Sequence, residues 1–304
     1  MLDVRRLAVL VQVVESGSVS AAADELKLTP SAVSQQLKRL EAEVRQPLLR
    51  RRPRGVSPTD AGQVLVQHAK KIMQQLEAAA ADLDALAEGQ RGQLVIGAFP
   101  TLAASFLPVA LERFMADYPH IQVVVHSARF DELLDELLRG RVDLCFLWDS
   151  TDRPFETDGV RIQELFTEPF VLLVSNSHPL ALTCEVSMQD LKDDQWIVRA
   201  DAHPAVEQLD RAATKAGFRP SIAFFANDYQ EAQAMVSVGM GVALVPKSGV
   251  ALKHPGVTEL SLGTQAPQRR ILLAQREERS YSSAETAFVS SIWAALATSR
   301  GRAS

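Results

Sequence analysis

Residues 59–88 hold no proline, and within them Leu65, Ala69, Ile72, Leu76, Ala79, Leu83 and Leu86 recur at spacings of four and three. Those spacings place all seven on one side of an α-helix. At about 1.5 Å per residue the helix is roughly 45 Å long, more than the width of a small domain, so it cannot be enclosed in one. It divides the 304-residue chain into a short N-terminal part and a long C-terminal part. The stripe needs a cover, and its repeat has the form of a coiled-coil seam. Two-fold pairing with a second copy supplies that cover and predicts a dimer contact at Leu65, Ile72, Leu76, Leu83 and Leu86. Packing of the stripe onto its own chain is the alternative.

The N-terminal part carries ten Lys and Arg against seven Asp and Glu in residues 1–60, a net +3, which leaves −8 for the remainder. A basic segment on an acidic protein points to nucleic acid as its partner. Three helical patterns occupy it. Leu7, Leu10, Val11 and Val14 mark the first, residues 18–26 with Ala21, Ala22 and Leu26 inward form the second, and the third starts at Thr29 and Pro30, a good cap and first helical residue. In the third, Val33, Leu37, Leu40 and Val44 form one apolar stripe, leaving Ser31, Gln35 and Lys38 opposite, with Ser34 and Arg39 on the flanks. Only "KLT" separates the second helix from the third, so the pair crosses steeply, as in a DNA-binding helix-turn-helix. Behind it, "LLRRRPRGVSPT" crowds Arg50, Arg51, Arg52 and Arg54 around a Pro-x-Gly turn, a small hairpin whose arginines can reach phosphates or a minor groove.

Beyond "EGQRGQ" strand-like and helical runs alternate: "LVIGAF", a helix to Tyr118, "IQVVVH", a helix to Arg139, "VDLCFLW", then "PFVLLVS", "QWIVRA", "IAFFA", "VALVP" and "RRILLAQ". Alternation of this kind predicts an α/β fold with a mostly parallel sheet. Ligands of such sheets gather at the C-terminal ends of strands. That rule places Pro100, Thr101 and Leu102 after the first strand, Arg129 and Phe130 after the second, Trp148 and Asp149 after the third, and Val198, Arg199, Asn227 and Asp228 in the later portion. Arg129 and Arg199 are suited to grip a carboxylate and Phe130 and Trp148 to cover an aromatic body, so a small carboxylate is the expected effector.

The stretch "GSVSAAADELKLTPSAVSQQLKRLE", followed by Arg51, Arg54 and "TDAG" at 59–62, resembles the winged helix-turn-helix of LysR-type transcriptional regulators. "FLPVALERFMADYP", "LLRGRVDLCFL" and "VSVGMGVALVP" are similar to the effector-binding region of the same family. The resemblance implies a winged helix-turn-helix domain at 1–58, a linker and dimerisation helix at 59–89, and a two-lobed α/β effector-binding domain at 92–304, similar to type 2 periplasmic binding proteins. Lobe I is then about 92–166 and 267–304 and lobe II about 167–266, hinged by crossing strands near Glu164 to Pro169 and Gln265 to Arg270. It also implies that Pro30, Ser31, Ser34, Gln35, Lys38 and Arg39 approach the operator with Arg51, Arg52 and Arg54 on the wing. The implied partners are double-stranded promoter DNA with an interrupted inverted repeat, a small-molecule effector, further copies in a dimer or tetramer, and RNA polymerase. Arg45 stands where the family has glycine, so either a non-glycine residue turns left-handed there or the helix ends differently. Pro58 stands where Leu is usual.

With 47% hydrophobic residues the chain reads as globular. No window approaches the roughly 18–20 apolar residues of a membrane span and no secretory leader pattern opens it, so a cytoplasmic protein is expected. Cys145 and Cys184 form neither a CxxC nor a Cys/His cluster, so no metal and no cofactor is expected, and a redox-controlled regulator is the alternative to a ligand-controlled one. Cys145, His126, His178 and His203 could serve an enzyme on the α/β lobes, but they show no triad spacing and no GxSxG accompanies them, so catalysis is not expected.

Overall fold

The structure is a computed structural model that describes residues 2–52, 55–87, 93–183, 185–200, 204–277, 279 and 281–300. It divides into two compact units, one formed by residues 1–90 with 138–141 and the other by 91–137 with 142–304.

In the first unit, helices α1 (Val4–Ser16), α2 (Val19–Glu25) and α3 (Pro30–Val44) are each started by a side-chain cap: Asp3 accepts from Arg5 N, Ser18 from Ala21 N and Thr29 from Ala32 N. The apolar stripe read on α3 is buried at Val33, Leu37 and Leu40, against Leu7, Leu10 and Val13 of α1 and Ala22 and Ala23 of α2. Helix α3 ends at Arg45, which adopts the left-handed conformation at φ 54°. Of the two possibilities left open there, the strained one is realised, and Gln46 N then closes the helix on Glu41 O. Strands β1 (Leu49–Arg52) and β2 (Gly55–Pro58) pair antiparallel, Leu49 opposite Pro58, and form the wing.

Helix α4 (Asp60–Ala87) follows. Its first turns pack on the three-helix core through Val66 and Ala69, with Leu65 and Met73 partly buried beside them. The expected seam is therefore divided. Leu65 and Ala69 are covered by their own chain, because a stripe that is continuous along a helix continues into whatever core the helix begins on. Ile72, Leu76 and Leu83 are 40%, 50% and 66% exposed. The side chain of Leu86 lies outside the described residues.

The second unit runs β3 (Gln93–Ala98), the single turn α5 (Pro100–Ala103), α6 (Phe106–Asp117), β4 (Gln122–Ser127), α7 (Phe130–Leu138), β5 (Leu144–Ser150), β6 (Val160–Ser175), β7 (Gln195–Arg199), α8 (Pro204–Lys215), β8 (Ser221–Ala226), α9 (Tyr229–Ser237), β9 (Ala243–Pro246), β10 (Val257–Leu260), β11 (Gln268–Arg276) and α10 (Ser283–Arg300). The main sheet has the order β10-β6-β11-β5-β3-β4, with β9 also paired to β6. Among the named strands of the described residues, β3, β4 and β5, and separately β7 and β8, pair parallel; β6 and β11 pair antiparallel with each other and with every other named strand they touch. This departs from the mostly parallel expectation. The connection from β5 to β6 carries no helix, so the chain can return antiparallel beside strands already laid down.

Strand β6 is longer than the apolar run "PFVLLVS" suggested. Its first half, Val160 to Pro169, pairs with β11, and its second half, from Phe170 to Ser175, pairs with β9 and β10. Along that second half Phe170, Leu172 and Val174 face a core with Trp196, Leu209 and Ala213, while Val171 and Leu173 face another with Tyr229, Ala232 and Val236. Both faces are thus covered, by α8 on one side and α9 on the other, which is why the run reads as continuously apolar.

Candidate DNA interface and ligand cleft

The polar side of α3 is presented outward. Pro30, Ser31, Gln35, Lys38 and Arg39 are exposed and Ser34 is half-buried. Ser31 Oγ lies 3.0 Å from Thr29 Oγ1, at the helix cap. Gln35, Lys38 and Arg39, spaced so that they share one face, make no hydrogen bond or ion pair among the described residues. On the wing, alternation separates the arginines. Arg50 donates to Pro58 O at 3.2 Å and pairs with Asp60 at 3.4 Å, and Arg52 donates to Ser57 Oγ at 3.0 Å. Arg51 has no such partner among the described residues and is exposed. Arg54 lies outside them.

Residues that touch no DNA set where the wing stands. Glu41 Oε1 accepts from Leu48 N at 2.8 Å, which ties the end of α3 to the start of β1. Thr59 donates to Pro47 O at 2.7 Å and accepts from Gly62 N at 3.0 Å, so one hydroxyl caps α4 and holds the wing's return. A Cβ on Gly62 would stand 2.0 Å from Leu48 O, and one on Gly55, at φ +111°, 2.3 Å from Gly17 O. The approach at Gly62, with the Thr59 hydroxyl, is what the "TDAG" stretch encodes physically.

In the second unit the residues expected around a ligand are not all brought together. Phe130 and Trp148 line a cavity of about 300 Å3, with Asp149, Ser150, Pro154, Phe155 and Gln208 among its other walls. Phe130 meets Phe155 edge-on, with ring centroids 4.8 Å apart. The cavity lies between the end of β5 and α8. Arg129 is elsewhere, 3.7 Å from Glu132. Arg199 lies over the Tyr229 ring at 5.3 Å, beside a void of only about 10 Å3. Asn227 bonds to Glu231 at 3.2 Å. Leu102 is fully buried and Pro100 exposed. Arg129 and Arg199 are therefore not brought together at this cavity: Arg129 faces Glu132 and Arg199 the Tyr229 ring on α9. The helix at Thr101 is one turn long, too short to supply an appreciable dipole.

The arginine that does reach Thr101 is Arg269, on β11. It is 1% exposed. Its Nε donates to Glu168 Oε1 at 2.8 Å, and its terminal nitrogen donates to Thr101 Oγ1 at 2.9 Å and Ser248 Oγ at 2.7 Å. Its guanidinium carbon lies 5.1 Å from the Phe99 ring centroid and 5.2 Å from that of Trp148. Ser248 N completes the set by donating to Glu168 at 2.7 Å. A buried ion costs several kcal/mol unless paired and hydrogen-bonded, and here Nε and one terminal nitrogen find a carboxylate and two hydroxyls at the crossing of β6 and β11. Sequence reading missed this group because its members run from Phe99 to Arg269 and meet only where the folded sheet brings its strands and flanking turns together. Next to it, Asp149 Oδ1 accepts from Arg270 at 2.7 Å, and that bond raises the guanidinium's pKa further. At the cavity mouth the Ser150 hydroxyl holds Asp152 below the usual carboxylate range. Cys145 is buried, and desolvation pushes its thiol far above the usual range.

Among the described residues no single helix is long and apolar enough to cross a membrane. Residues 4–63 match the model of the bacterial regulatory helix-turn-helix protein, lysR family, and residues 87–297 that of the LysR substrate binding domain. The chain is 31% identical to the transcriptional dual regulator GltC of Bacillus subtilis (strain 168), over 84% of this chain and 85% of that one. Its fold is similar to that of the Corynebacterium glutamicum OxyR C206 mutant, with TM-score 0.61, 25% identity and coverage of 98% and 95% of the two chains. Full-length CbnR complexed with its target DNA gives TM-score 0.61 at 23% identity, covering 97% of this chain and all of that one, a likeness of fold. With an outward-facing recognition helix and arginine wing at one end and an α/β region with an aromatic cavity at the other, the chain belongs to the LysR family of DNA-binding, effector-responsive transcriptional regulators.

Proposed function

We propose that this regulator acts in the cytoplasm as a homodimer that assembles further into a tetramer, reads an interrupted inverted repeat in promoter DNA, and contacts RNA polymerase there. The observation that carries the reading is the face formed by Gln35, Lys38 and Arg39, exposed and unengaged among the described residues, beside the outward Arg51. Gln35 is of the right type to pair with an adenine edge and Arg39 with guanine or phosphate, while Arg51 serves the backbone. The exposed Ile72, Leu76 and Leu83 on α4 supply the seam that holds two such heads for two half-sites.

The effector occupies the cavity lined by Phe130, Trp148 and Phe155. Trp148 is shared between that cavity and the Arg269–Glu168 group, so a ligand there bears on the crossing of β6 and β11. It shifts the regulator only by preferring one arrangement of the lobes. The buried thiol of Cys145 favours this ligand reading over redox control; Cys184 lies outside the described residues. Footprinting of the upstream DNA with and without fractionated metabolites tests the reading, with Pro154→Trp at the cavity mouth as control. That variant should keep its footprint and lose the metabolite response; a response that survives it places the effector elsewhere.

A further inference from the structure

We propose that the cavity takes an uncharged planar ring whose edge carries a hydrogen-bond donor beside an acceptor, as a lactam does, and that the Gln208 amide reads that edge. This rests on the assignment of the cavity as the effector site, and it replaces the carboxylate expected from sequence.

The charged side chains of the lining are already matched with opposite charges. Asp149 is held by Arg270. Arg153 lies 3.2 Å from Glu207, and Arg211 lies 3.6 Å from Asp152 and 3.9 Å from Glu207. Each guanidinium at the cavity already faces a carboxylate, and these pairs run from the end of β5 to α8. A carboxylate ligand would have to compete with one of these carboxylates for its guanidinium, whereas an uncharged ring displaces none of them. A cation fares no better, since the carboxylates are engaged as well.

What is not engaged is Gln208. It is 4% exposed, it lines the cavity, and it has no hydrogen-bond partner among the described residues. Its amide opens onto the cavity and offers a donor and an acceptor side by side, which a matching edge satisfies with two parallel bonds. Apart from Ser150, whose hydroxyl bonds to Asp152, the rest of the lining is apolar. Phe130 and Phe155 stand edge-on at 88°, and with Trp148 and Pro154 they shape a slot for a flat body. The volume of about 300 Å3 is about twice the roughly 150 Å3 that accommodates benzene, which suits a bicyclic ring.

The test is calorimetry on the intact protein with two probes of one skeleton, quinolin-2-one and quinoline-2-carboxylate. The lactam should bind at least about tenfold more tightly than the carboxylate. Gln208→Leu should weaken the lactam roughly five- to tenfold and leave the carboxylate unchanged, with Gln208→Met as a second variant should the first misfold. Equal or tighter carboxylate binding, lactam binding indifferent to both variants, or binding of neither probe overturns the proposal. Failure of the effector assignment is read separately: the promoter response would then survive Pro154→Trp even where the lactam binds through Gln208.

Discussion

Removing Arg269 should destabilise the effector-binding region severely, and removing Glu168 with it should restore much of the loss. In the Arg269→Met variant the Glu168 carboxylate, 7% exposed, keeps Ser248 N and Oγ as donors but loses its counter-charge. Breaking a buried pair at one end costs about 3–5 kcal/mol. For a unit of this size each kcal/mol moves the thermal midpoint by about 2–4 °C, so the expected fall is about 6–20 °C. Glu168→Leu should fall by a similar amount. In the double variant neither charge is buried; Thr101 loses one bond, and Ser248 loses the bond from Arg269 and those its N–H and hydroxyl donate to Glu168, at about 0.5–1.5 kcal/mol apiece. The double variant should therefore be at least about 2 kcal/mol more stable than the sum of the singles predicts. All three tryptophans, Trp148, Trp196 and Trp293, lie in the second unit, so intrinsic fluorescence during urea or thermal unfolding follows that region alone. A single-variant loss below about 1 kcal/mol, or strictly additive effects, would refute the reasoning that this ion pair organises the strand crossing.

Gln35→Ala should relax base preference at one operator position with a loss of about 1–3 kcal/mol, whereas Arg51→Ala should weaken all sequences alike and lower the salt slope by about one, both read from binding titrations at several salt concentrations. Gly62→Ala places a methyl 2.0 Å from Leu48 O; circular dichroism should show the head melting several degrees lower, and DNA affinity should fall with it. Leu76→Glu, at a position 50% exposed in the single chain, should shift the sedimentation equilibrium toward monomer while leaving the tryptophan-reported midpoint unchanged.

Local signals were enough for the N-terminal head. The cap at Thr29 and the stripe Val33, Leu37, Leu40 follow from local spacings of three and four residues, and they appear in the fold where the sequence put them; the structure adds caps at Asp3 and Ser18. Even the departure at Arg45 was visible as a choice between two backbones, though not which one, since that depends on how Glu41 and the wing close around it. In the second unit most strands were legible as apolar runs, but "VTEL" and the first half of β6 were not, because half-buried strands alternate in polarity.

The sequence by itself determined where helices begin, which faces are apolar, and that one end of the chain suits DNA, because these follow from covalent neighbours and a fixed helical period. Tertiary structure decided three things that no period contains: that Leu65 and Ala69 pack on the core of their own head, that β6 and β11 run antiparallel, and that Arg269 and Gln208, not Arg129 and Arg199, stand at the crossing and the cavity. The physical reason is that a charge or a face acquires its role from what covers it. For Arg269 that cover is Thr101, 168 residues away.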